Sequence, residues 1–163
     1  MSERLKNTSE RGKFKEEIHS ALYKNKDIIE LLLGDTSGMN TTQVRREFKD
    51  HVKSHLFIDD TIQETETFIF YDVTLSKIRP NTKSCKVIMY LITHFDLLDN
   101  YFKEGYYGNR IDILTEMVED TLINNENVSR SFGIGELSLD SVDVYNSKRF
   151  YGCIMIFDVP NFR

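Results

Sequence analysis

The sequence predicts a single α+β domain: one mainly antiparallel sheet made of two β-hairpins, packed with helices in the order α-α-β-β-α-β-β. Three observations carry this. Apolar residues recur at helical spacing before residue 55 and again around Leu114. Alternating or doubly apolar runs near 67–78, 86–95 and 151–159 read as strands. Turn chemistry at Arg79-Pro80-Asn81-Thr82 and at Asn146-Ser147 separates the members of each strand pair.

The first helical region opens at Phe14, with Ile18 and Leu22 on one face. Ile28, Ile29, Leu31, Leu32 and Leu33 continue it to a stop at Gly34. It reads as one helix or as two short ones broken near Asn25. The polar stretch before it, residues 1–12, is expected to be a flexible arm, with the domain spanning 13–163. Asn40 followed by Gln43 has the form of a capping box, and Val44, Phe48 and Val52 mark a second helix to about His55. Residues 56–66 carry no clear period.

Strand 67–78 alternates Ile69, Tyr71, Val73 and Leu75 with Phe70, Asp72, Thr74 and Ser76. Strand 86–95 is apolar on both faces, which predicts a central strand covered on both sides, one cover being open to a partner subunit. Asn109 caps a helix with the stripe Ile111, Leu114, Val118 and Leu122. Leu137 and Leu139 alternate, but Val142 and Val144 resume one register out. That phase slip predicts a bulge or a strand break. Tyr151, Cys153, Met155, Phe157 and Val159 form the last strand.

Composition narrows the function classes. With 163 residues, 40% hydrophobic and 29% charged, the chain can bury its own core. A formal charge of -5 disfavours non-specific duplex binding. No apolar run approaches ~20 residues, so no membrane helix is expected, and the charged start does not read as a signal peptide. Cys85 and Cys153 lie in β-like runs and read as buried free thiols.

The chemical motifs fail one by one. His51 and His55 sit at i and i+4, but Val52 follows His51 where a zinc protease has Glu, and a third ligand would have to come from Asp59 or Asp60. Gly133 and Gly135 begin a dinucleotide pattern that Ser138 breaks. Cys85 and His94 share a strand and stand ~30 Å apart, too far for a catalytic pair. His19 flanks an amphipathic helix. Asp96, Asp99 and Glu104 are loop acids without a companion base. Asn127-Val128-Ser129 matches a glycosylation acceptor only formally. No enzyme activity, cofactor or metal is therefore expected.

Contact surfaces are the better candidates. Tyr101, Phe102, Tyr106 and Tyr107 crowd one loop outside the periodic elements, which suits an interface or burial under the chain's own loop. Arg79, Lys83 and Lys86 gather at the first hairpin turn, either as a solvated turn that blunts a sheet edge or as a loop facing nucleic acid or an acidic partner.

The layout resembles the tail-completion and tail-terminator proteins of long-tailed bacteriophages. The matching parts are Ile28-Ile29-Glu30-Leu31-Leu32-Leu33-Gly34 after a short helix, the strands 67–78 and 86–95, and the helix beginning Arg110-Ile111-Asp112-Ile113-Leu114. The closing segments, Leu137 to Val144 and then Phe150-Tyr151-Gly152 with Phe157-Asp158-Val159, complete it over roughly residues 14–162. Residues 38–66 add a helix beyond the compact family layout. The resemblance implies a homo-hexameric ring at the head-proximal end of the tail tube, in the virion neck, assembled in the host bacterial cytoplasm. Its implied partners are further copies of itself, the tail tube protein, the head–tail connector or stopper and the tail sheath, with DNA only passing through the lumen. A ring needs a heterologous interface that closes on itself. Replacing Tyr106 and Tyr107 by Ser is expected to weaken it. The competing reading is a small cytosolic binding or regulatory module.

Overall fold

The computed structural model describes residues 9–56, 64–79, 83–124 and 137–162. They form a single α+β domain with four helices and five strands. The first helical region is two helices. α1 spans Ser9–Lys24 and α2 spans Lys26–Leu33. Asn25 makes the break: its side-chain oxygen accepts from the backbone N–H of Asp27 and Ile28, which caps α2. Its amide donates to Thr121 Oγ1 at 2.8 Å, which ties the break to the fourth helix. Gly34 ends α2 at φ 76°, a conformation that a side chain resists. The helical turn already includes Ser9 to Gly12, which the polar composition assigns to an arm; residues 1–8 lie outside the described residues.

α3 spans Thr41–His51 and begins with the complete capping box of Asn40 and Gln43. It does not run on to His55. Val52 turns extended and, with Lys53, forms β1, which pairs in parallel with Ile69 and Phe70. β2 is Thr67–Ser76 and β3 is Lys83–His94, followed by a 3₁₀ turn at Phe95–Leu97. α4 spans Arg110–Ile123, with Asn109 and Asp112 forming a second capping box. β4 is Ser138–Asn146 and β5 is Phe150–Phe162. The element order thus has four helices where the sequence order counts three, the first region being the two short helices broken near Asn25, and it adds a short parallel strand.

The sheet order is β1-β2-β3-β5-β4. Both expected hairpins are antiparallel, and the central pairing joins β3 to β5. The slip expected in β4 is real: the register shifts between Leu139 and Ser141. The helices cover one face. There Phe14, Ile18 and Leu22 of α1, Leu31 of α2, Phe48 of α3 and Leu114 and Met117 of α4 pack on Ile69, Tyr71, Met89, Met155 and Phe157. On the other face Phe68, Phe70, Ile92 and Phe150 form a smaller buried cluster with Tyr90 and Tyr145 against it. From the helices this cluster receives His51, whose ring stacks on Phe68. The doubly apolar character of β3 therefore reflects a thick helical layer on one side and an aromatic cluster of the sheet's own making on the other. Gly152 lets the strands meet: a Cβ there would overlap the Leu91 carbonyl. Among the described residues no helix is long and apolar enough to cross a membrane.

Candidate interaction surface

The aromatic loop between β3 and α4 is divided by its own packing. Tyr101 and Tyr106 are partly buried against the main core, whereas Phe102 is 83% exposed and Tyr107 86% exposed. Gly105 and Gly108, both at positive φ, allow this alternation of inward and outward rings. The loop is fastened at two points. Lys103 Nζ lies 3.1 Å from Asp27 and 3.2 Å from Glu30, both on α2, and these bonds raise its pKa. Arg110 donates to the carbonyls of Leu97 and Leu31 and to Asn100, while its guanidinium sits 4.8 Å over the Tyr101 ring. Burial, with Glu30 nearby, pushes the Tyr101 phenol up; its hydroxyl makes no hydrogen bond within the described residues. Two inward tyrosines thus anchor a loop that holds two outward rings at fixed positions, which costs little ordering entropy on contact.

Arg79 and Lys83 do not join this surface. Lys83 opens β3 and the aromatic loop follows its other end at His94, so the two regions stand roughly 35 Å apart at the usual strand rise. Arg79 is exposed; the side chain of Lys83 lies outside the described residues.

The remaining motifs have structural explanations. His51 is buried, with Nδ1 2.7 Å from the Thr67 carbonyl. Since α3 ends there, His55 is not one helical turn away. Asp59, Asp60, Gly133, Gly135 and the segment 127–129 lie outside the described residues. Among those described, no group of three metal-ligating side chains occurs. Cys85 and His94 stand at opposite ends of β3, and both cysteines are buried and unbridged. Burial raises the Cys153 thiol pKa despite its 3.2 Å contact with Thr115 Oγ1. His19 packs edge-on against Phe48; burial and then Lys49 lower its pKa. Asp96, Asp99 and Glu104 are exposed, and the Asp96 N–H donates to His94 Nδ1.

Sequence reasoning missed two charged surfaces. A groove of about 620 Å³ beside β1 is lined by Lys15, His19, Tyr23, Arg45, Lys49 and Lys53, among others, with Glu16 its lining acid. At the other end of the sheet, α4 and β4 expose Asp112, Glu116, Glu119, Asp140 and Asp143. A visible signal existed: neither residues 111–124 nor 137–147 contain a single Lys or Arg.

Fold and surfaces together define a small α+β protein whose surface carries two exposed rings on a fastened loop and patches of opposite charge. The chain belongs to the YomW family, whose model matches residues 16–159. That family carries a phage-derived gene name, of the SPbeta type, which makes this a phage-associated protein. No curated protein matches the chain.

Proposed function

We propose that this phage-associated protein is a non-catalytic assembly subunit of the virion neck. It is a tail-terminator or tail-completion protein that closes into a hexameric ring on the head-proximal end of the tail tube and receives the head connector. The observation that carries this reading is the aromatic loop, where Phe102 and Tyr107 stand almost fully exposed on a segment bolted to α2 by Lys103 and Arg110. Exposed rings on a rigid frame are a poor choice for a solvated loop and a good one for a recurring protein contact. The family match to phage and the hairpin–helix–hairpin layout support the same reading.

The test is location. Phage particles assembled with a tagged copy are purified and labelled with gold-conjugated antibody. Label at the head–tail joint is expected. Finished particles without the protein, or label elsewhere on the virion, overturn the proposal.

A further inference from the structure

On its helical side the sheet carries opposite charge at its two edges. At the β1 edge, Lys15 of α1, Arg45 and Lys49 of α3, and Lys53 of β1 converge on one groove over the side chains of Val52 and Tyr71. Lys49 and Lys53 take part in no ion pair among the described residues. The carboxylates of α3 lie on the other side of β1: Glu47 and Asp50, with Glu64 and Glu66, line a pocket floored by Phe68 and Phe70 that shares Lys53 with the groove.

At the β4 edge the charge is reversed. Thr115 of α4 touches Cys153, and Cys153 is the cross-strand partner of Val144. The face of α4 bearing Asp112, Glu116 and Glu119 is therefore the one that looks over β5 toward β4. Val142 and Val144 lie on this same side of the sheet, 48% and 71% exposed, because β4 extends past the helical cover. The outer backbone edge of β4 has no neighbouring strand among the described residues. An apolar strip flanked by carboxylates thus lies opposite, across the sheet, from an apolar-floored groove flanked by ammonium and guanidinium groups.

We propose that copies of this chain associate head to tail through these two edges, the basic groove beside β1 of one copy receiving the acidic α4–β4 edge of the next. Two identical acidic edges would repel, and so would two basic grooves, so a two-fold dimer through either is disfavoured. The inference rests on the self-association named in the proposed function and assigns its surfaces.

The experiment is a charge swap on the intact chain, read by sedimentation velocity and light scattering. Arg45→Glu with Lys49→Glu reverses the groove; Glu116→Lys with Glu119→Lys reverses the other edge. Wild type is expected to oligomerise at low salt and to dissociate as salt is raised. Each variant alone is expected to associate roughly a hundredfold more weakly, from several like-charge contacts at the joint. An equimolar mixture regains assembly, because each reversed edge meets a reversed partner. Urea midpoints equal to wild type show that the variants fold. Variants that oligomerise like wild type overturn these surfaces while self-association stands. A wild-type monomer at every concentration and salt overturns the head-to-tail proposal, and the labelling of virions then judges the neck assignment separately. Variants that fail alone and also fail when mixed, while still folded, place another partner on these edges and equally overturn it.

Discussion

Asp72 shows how single residues bind the helical layer to the sheet. Arg11 and Lys15, one turn apart on α1, reach the same carboxylate oxygen at 2.7 and 2.8 Å. Partial burial by itself raises the Asp72 pKa. The Lys15 hydrogen bond, the Val73 N–H and the two cationic charges outweigh it and hold the carboxyl below its ordinary range. Its contribution is therefore complete above the unfolded value of about 3.9 and is lost as pH falls through the lower folded one. Urea midpoints measured from pH 7 down to pH 2 are expected to decline more steeply for wild type than for Asp72→Asn; parallel curves would remove Asp72 from the acid response. Gly152 is the complementary case, where an absent side chain matters. Gly152→Ala drives a methyl into the Leu91 carbonyl and close to Ile92, on the neighbouring strand. A loss of about 1–3 kcal/mol is expected in denaturant titration, and an unchanged midpoint would show that the strands have room to part.

At the scale of elements, the local signals were legible and the tertiary ones were not. Asn40 with Gln43 and Asn109 before the Ile111 stripe stood out because capping chemistry is written within four residues. The slip between Leu139 and Val142 was visible because strand period is exact. β1 was invisible: two residues have no period, and Val52 is extended only because Ile69 is there to pair with it. The β3–β5 pairing was equally hidden, since each strand had a nearer hairpin partner. The aromatic loop was found from composition, but which rings face out was not. A loop has no repeat, and only the fastening through Lys103 and Arg110 turns Tyr101 and Tyr106 inward. Asn109→Ala tests the best of the local signals. It deprives the Ile111 and Asp112 N–H groups of their side-chain acceptor, while the return bond from the backbone N–H of residue 109 to the Asp112 carboxylate stays. A cost of about 1 kcal/mol is expected, seen as a melting temperature lower by roughly 2–4 °C for a chain of this size.

At the scale of the whole molecule, the proposed assembly contact and the core fall on different residues. Phe102 and Tyr107 carry almost none of the core, whereas Tyr106 packs against it. The pair expected to separate the two properties is therefore Phe102→Ser with Tyr107→Ser, rather than a pair that includes Tyr106. This double variant is expected to keep the wild-type urea midpoint and lose binding to purified tail ends. A lowered midpoint would make the rings part of the fold, and unchanged binding would move the contact away from this loop. On the helical side of the sheet charge is divided with the same economy, a basic groove beside β1 and carboxylates over β4.

The central position of β5 has a consequence in time. It is the last of the five described strands, yet it lies between β3 and β4 in the sheet. During synthesis the β2–β3 hairpin leaves the ribosome with Val87, Met89 and Leu91 on one side, Tyr90 and Ile92 on the other, and the inner margin of β3 unpaired. At ~5–20 residues per second it waits several seconds for Phe157 and Met155 to arrive. In that interval the nascent chain exposes a long, apolar, pairing-competent edge, the kind of surface that chaperones bind and that neighbouring nascent chains can adopt. The yield of folded protein is thus expected to depend on how soon β5 arrives as well as on the stability of the finished fold.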